Sequence, residues 1–165
     1  MKEFLNNFTF ETYNKDTKLN LSSVLMNNAN IIETKLVAAT VYGILFAKNH
    51  PMAEKFLEAA SEHFDENLIE GVRGAATIMN MNNVYYRGKH ILGNDYAKIN
   101  ASLRMQFYTN HKIDKKYFEF VSLAVSFVNN CEFCIKSHAH LLQKEGMTKE
   151  QIHEALRIAA IVNTL

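Results

Sequence analysis

Apolar residues recur at spacings of three and four along almost the whole chain, and a single proline, Pro51, stands among 165 residues. A period near 3.6 marks helices with one buried face, whereas strands would alternate every second residue. The chain is therefore read as all-α. Helices are expected over roughly 32–48, 52–63, 67–80, 96–108, 115–129, 131–145 and 149–164. The last start carries the strongest local signal. Thr148 and Gln151 have the spacing of a capping box, and Gly146 just upstream can take the left-handed conformation that closes a helix.

The helical pattern also repeats. "ETKLVAATVYGILFAKNHPM" from Glu33 aligns with "EFVSLAVSFVNNCEFCIKSH" from Glu119, and "IEGVRGAATIMN" from Ile69 aligns with "HEALRIAAIVNT" from His153. The second match sets Glu70 on Glu154, Arg73 on Arg157 and Ala75-Ala76 on Ala159-Ala160, small residues that let helices approach closely. The expectation is one domain over 1–165, with copies of a helical unit at roughly 31–80 and 117–165. At 48% hydrophobic residues, such a domain can bury a core without disulfides or metal.

Charge and hydropathy remove several function classes. A formal net charge of +1, with no Lys/Arg block, gives no electrostatic footprint for nucleic acid. No apolar run reaches the roughly 18 residues of a bilayer span, and the first residues, "MKEFLNNFTFETYNK", lack the apolar stretch of a secretory signal. A cytoplasmic protein is expected, in a compartment that keeps thiols reduced.

Against that background "VNNCEFCIKSHAHLL", residues 128–142, stands out, because it holds the only two cysteines. On a helix Cys131, Cys134 and His138 share one face. In the alignment above their places in the first copy are taken by Leu45, Lys48 and Met52, so the scaffold does not require thiols. A thiol at a helix N-terminus lies near unpaired N–H groups and the positive end of the dipole, which favour the nucleophilic thiolate; Asn130 can supply the cap. Core cysteines are the plain alternative. Zinc would need about four ligands where three are offered, His140 pointing elsewhere, and a thioredoxin fold would need strands. A redox pair on an all-α frame is favoured, with a non-catalytic thiol sensor or a zinc-binding interaction module as the alternative.

Glu119, in "KKYFEFVSLAVSFV", sits between Phe118 and Phe120 on the helix that leads into the cysteines. A carboxyl group in apolar surroundings holds its proton more tightly than in water and can exchange protons with a nearby histidine such as His138. Equally, it is a first-turn acid favoured by the helix dipole, as Glu33 in the other copy would be. His140 and His153 read as surface residues, and Tyr85 and Tyr86 as ordinary packing.

The stretch "FEFVSLAVSFVNNCEFCIKSHAHLLQKEGMTKEQIHEALRIAAIV", with "MNNVYYRG" and "LRM" at 103–105, resembles the alkyl hydroperoxidase D (AhpD) proteins of the carboxymuconolactone decarboxylase-like superfamily. The resemblance covers nearly the whole chain. It implies an all-α fold with an internal repeat, usually a homotrimer, and a thiol-dependent peroxidase and disulfide reductase with no bound cofactor or metal. It further implies an antioxidant adaptor, taking electrons from dihydrolipoamide on a 2-oxoacid dehydrogenase component and passing them to a peroxiredoxin. Carried onto this chain, the relay acid falls on Glu119, the redox-active disulfide on Cys131 and Cys134, and the relay base on His138. The resemblance makes Cys134 the attacking thiol, whereas the dipole favours Cys131 as the more acidic one. Some members carry a relay histidine between the cysteines; this chain has Phe133. The lactone-decarboxylating branch lacks the cysteine pair and is the lesser expectation.

Overall fold

The computed structural model describes residues 1–27 and 31–165 and is all-α. Short 3-10 turns at Lys2–Asn7 and Thr12–Asn14 lead into α1 (Lys15–Asn27). Then come α2 (Thr34–Ala47), α3 (Ala53–Ala59), a 3-10 turn at Ser61–His63, and α4 (Glu66–Leu92). The short α5 (Asn94–Ala97) and α6 (Gln106–Asn110) precede α7 (Lys115–Val128), α8 (Glu132–Lys144) and α9 (Lys149–Val162).

Helices α2 and α7 run through the centre. Every residue from Leu36 to Leu45 and from Phe118 to Ser126 is buried, the all-round burial that an apolar helix needs to exclude water. They cross at Gly43, where a Cβ would stand 2.5 Å from Val121 Cγ1 and 3.2 Å from Val72 Cγ1; the missing methyl lets α2, α4 and α7 close together. α2 packs on α4 as α7 packs on α9, and α8 folds back over α7.

Caps fix the ends. Thr148 Oγ1 accepts from Gln151 N–H at 3.2 Å while Gln151 Oε1 accepts from Thr148 N–H at 3.0 Å, the expected capping box. Asp65 caps α4 by accepting from Leu68 N–H. Gly146, at φ 83°, closes α8 as expected. Asn49 and Asn130, at φ 51° and 52°, close α2 and α7 in the same way. In both, the next N–H reaches back five residues, His50 to Leu45 and Cys131 to Ser126.

These caps correct the repeat register. The N-caps of α2 and α7 are Glu33 and Asp114, so Glu33 corresponds to Asp114, and the counterpart of Glu119 is Ala38. In the second pair the buried residues Gly71, Val72, Ala75, Ala76 and Met79 match Glu154, Ala155, Ile158, Ala159 and Val162, one step from the letter-based match. A run buried on every face has no polar stripe to hold an alignment, so residue identities slide along it.

Three helices differ from expectation. No helix was expected before residue 32, yet α1 docks on α2 and α9 by burying Leu21, Val24 and Leu25. α4 runs on past residue 80 through three asparagines, Asn80, Asn82 and Asn83, weak helix formers. Tertiary bonds hold them: Asn80 donates to the Ala47 carbonyl at 2.7 Å, Asn83 donates to Ser126 Oγ at 3.0 Å, and Asn129 donates to both Asn80 and Asn83. The continuous helix expected over 96–108 is absent, replaced by α5 and α6 with irregular chain between them.

Candidate active site

The turn after α7 builds the site. With Asn130 left-handed, the chain reverses and Cys131 becomes the N-cap of α8, in place of the expected Asn130, its Sγ accepting the Cys134 N–H at 3.4 Å. Cys131 and Cys134 are joined as a disulfide, with Cα atoms 5.3 Å apart, and both are buried. One turn further along α8, His138 faces inward and is 5% exposed.

Glu119 meets it from α7. The helix begins at Lys115, so Glu119 lies beyond the first turn, 2% exposed between the buried Phe118 and Phe120; a dipole-favoured surface acid does not describe it. Glu119 Oε2 and His138 Nδ1 are 2.6 Å apart. Its other oxygen, Oε1, accepts from the Tyr108 hydroxyl of α6 at 2.9 Å. The carboxylate thus holds His138 with Nδ1–H toward it and leaves Nε2 as the basic nitrogen. Met79 Sδ lies 3.1 Å from Nε2 and is a soft acceptor when that nitrogen is protonated. Burial, and then the Glu119 charge, push the Tyr108 hydroxyl above the ordinary tyrosine range.

A pocket of about 320 Å³ opens onto this cluster, lined among others by Met79, Asn82, Tyr108, Phe133, Cys134 and His138. Cys131 does not line it. Phe133 is 61% exposed and stacks on Tyr86, with ring centroids 5.3 Å apart, forming an apolar rim. Asn82 Oδ1 is buried in the pocket wall without a hydrogen-bond partner.

The structure brings Cys131, Cys134, His138 and Glu119 together from α7, α8 and the turn between them. It leaves His140 and His153 exposed. Among the described residues no three His, Cys, Asp or Glu side chains are grouped to hold a metal ion, and no helix is long and apolar enough to cross a membrane. Tyr108, Met79 and Asn82 escaped the sequence reading. Tyr108 lies where a continuous helix was expected, and nothing local signals that its hydroxyl crosses to α7. Tyr86, read as ordinary packing, belongs to the pocket rim.

Residues 94–164 match the carboxymuconolactone decarboxylase family. The chain is 39% identical over 153 residues to alkyl hydroperoxide reductase AhpD of Corynebacterium aurimucosum, covering 93% of this chain and 86% of that one. Proteins of the same name from Coxiella burnetii and Nocardia farcinica are 38% and 40% identical, covering 93% and 91% of this chain and 88% and 83% of theirs.

Proposed function

This chain belongs to the AhpD family of the carboxymuconolactone decarboxylase-like superfamily, and we propose that it is an alkyl hydroperoxide reductase whose redox pair is Cys131 and Cys134. The observation that carries the reading is the buried Glu119–His138 pair beside Cys134 at the wall of an open pocket. A proton relay and a disulfide-forming thiol, both shielded from water, are the two things peroxide reduction by a dithiol needs.

In the reduced protein, His138 Nε2 takes the Cys134 proton. The thiolate attacks the terminal oxygen of the hydroperoxide, an S–O bond forms, the O–O bond breaks, and sulfenic acid and an alkoxide result. Cys131 then attacks the Cys134 sulfur, the sulfenic hydroxyl leaves as water with one proton, and the Cys131–Cys134 bond closes. Cys134 lines the pocket and Cys131 does not, which favours Cys134 as the attacking residue. As N-cap, Cys131 holds its sulfur against a backbone N–H, which stabilises it as the thiolate that attacks, and that leaves when a dithiol reopens the bond.

An external dithiol, dihydrolipoamide on the lipoyl-bearing 2-oxoacid dehydrogenase component, is oxidised to its disulfide as it resets the pair, and a peroxiredoxin disulfide is the second acceptor. We place this antioxidant cycle in the cytoplasm. A homotrimer fits the far half of α4 and the segment after it, where Val84, Ile91, Leu92 and Ile99 are exposed.

Thiol titration tests the reading. One equivalent of cumene hydroperoxide should remove both thiols of the reduced protein, and dihydrolipoamide should restore them. Cys134→Ser should abolish turnover and leave helix content unchanged. Thiols that survive the peroxide, or a Cys134→Ser protein of undiminished activity, would refute it.

A further inference from the structure

We infer that Tyr108 is the acid of this site, returning the proton taken from Cys134 to the alkoxide that leaves when the peroxide bond breaks. The inference rests on the peroxidase reading and adds to it a residue and a direction for the proton.

Three observations carry it. The first is connection. Glu119 is bonded at both oxygens, by His138 at 2.6 Å and by the Tyr108 hydroxyl at 2.9 Å. Tyr86, Thr109 and Ser137 also bring hydroxyls to the pocket wall, but among the described residues Tyr108 is the one whose hydroxyl bonds Glu119. The carboxyl group is therefore a bridge, and its two ends, His138 and Tyr108, both line the pocket that holds Cys134.

The second is direction. Attack on a peroxide is in line: the leaving oxygen departs on the side away from the sulfur. Cys134 and His138 belong to the same helix, α8, so a donor for the departing oxygen is sought on another element of the pocket wall. Tyr108 comes from α6, and α6 and α8 both pack on α4. Of the two residues between the cysteines, Phe133 lines the pocket but carries no proton to give, and Glu132 does not line it and pairs with Lys136.

The third is support. α6 docks on α4 where the helix shows glycine. A Cβ on Gly74 would lie 2.0 Å from Phe107 Cε1, and one on Gly71 would lie 2.6 Å from Ile113 Cδ1. The Tyr108 ring also packs edge-on against Phe118, centroids 5.4 Å apart. The segment is thereby seated with the hydroxyl at Glu119. Tyrosine is protonated at neutral pH without any shift, and burial beside Glu119 moves Tyr108 further in that direction, so its proton is present to be given.

The step balances. The Cys134 proton passes to His138, from His138 Nδ1 to Glu119, and from Glu119 to the Tyr108 oxygen as the tyrosine proton goes to the alkoxide. The sum is thiol plus hydroperoxide giving sulfenic acid plus alcohol, with sulfur oxidised by two electrons and the peroxide reduced by two.

Leaving-group dependence distinguishes an acid from a prop. The reduced wild type and Tyr108→Phe, which keeps the ring against Phe118, are mixed with tert-butyl hydroperoxide and with peracetic acid, and the rate of thiol loss is followed. The tert-butoxide leaving group needs a proton and acetate does not. Tyr108→Phe should be slower by roughly 10²-fold or more with tert-butyl hydroperoxide and within about two-fold of wild type with peracetic acid, the loss falling in kcat rather than KM. Equal losses with both oxidants would reduce Tyr108 to a packing residue, and no loss with either would overturn the inference outright. Wild type inert toward both oxidants would instead remove the peroxidase reading, and this inference with it. The peracetic acid rate is the fold control: a Tyr108→Phe protein that keeps it is folded, so a slower rate with tert-butyl hydroperoxide is not a loss of structure.

Discussion

The two halves of the molecule make the same turn and put it to different ends. α2 and α7 each run for 14 residues, each closes on a left-handed asparagine, and each sends the following N–H back five residues. Beyond the turn they part. After Asn49 come His50, Pro51 and the seven-residue α3. After Asn130 comes Cys131, at once the N-cap of the 13-residue α8. Counting outward from the matched caps, Glu119, Cys134 and His138 fall opposite Ala38, Ala53 and Leu57, all apolar. The turn and the buried central helix are therefore scaffold. The candidate site lies in one copy, with a buried carboxylate where the sister copy has the methyl group of Ala38 and a buried imidazole where it has Leu57.

That comparison sets the price of the site, and it can be broken most sharply by giving the second copy the first copy's residues. Removing Glu119 alone, as Glu119→Ala, leaves His138 and the Tyr108 hydroxyl buried without their partner, and should cost about 3–5 kcal/mol of stability. Replacing both members, Glu119→Ala with His138→Leu, should recover most of that loss or exceed wild type, while peroxide turnover falls by roughly 10²–10⁴. Urea unfolding beside peroxide assays reads both. A double variant less stable than the single would mean that the pair helps hold the fold.

A smaller effect is expected where the copies cross. Gly43→Ala drives a methyl into Val121 and should destabilise by about 1–3 kcal/mol. Its counterpart in α7, Ala124, is already an alanine, and Ala124→Gly should cost nearer 1 kcal/mol through helix propensity. Thermal unfolding of the two variants ranks them; the opposite order would show that α2 and α7 do not meet as described.

The smallest effect separates the starts of α4 and α9 by pH. Asp65 caps α4, and the Leu68 N–H it accepts, with Lys35 nearby, holds its carboxyl below the ordinary value of 3.8. A depressed pKa adds stability that is present above the unfolded value and is lost as pH falls through the folded one. At α9 the acceptor of the Gln151 N–H is the Thr148 hydroxyl, which does not titrate; the nearby Glu150 carboxyl, also held low, bonds its own N–H and the Thr148 side chain rather than the Gln151 amide. Lowering the pH from 5 to about 2.5 should therefore speed amide exchange at Leu68 relative to Gln151, after correction for intrinsic rates. Parallel behaviour of the two amides would remove the distinction.

Much of the site was legible in the sequence because its parts are close along the chain. Cys131, Cys134 and His138 need only helical periodicity to share a face, and Glu119 is flagged by its aromatic neighbours. Its pairing with His138 was readable as a possibility from two adjacent helices. Tyr108 and Met79 were not, because each reaches the site from an element whose path is set by packing elsewhere. Glu119 also drew a wrong partner in the repeat, since Glu33 matched it by letter while the caps match Glu33 to Asp114.

Local pattern fixed the all-α class, the start of α9, the end of α8 and the shared face of the thiols and histidine. These depend on hydrogen bonds within a turn or two of chain, which the sequence states directly. Tertiary packing decided that α4 continues through its asparagines, because Ala47, Ser126 and Asn129 meet their amides there. It decided that 96–108 is not one helix, because Phe107 must fit against Gly74. And it decided that the Glu119 carboxylate ends in contact with both an imidazole and a phenol, since burying that charge is tolerable only where partners from other helices converge on it.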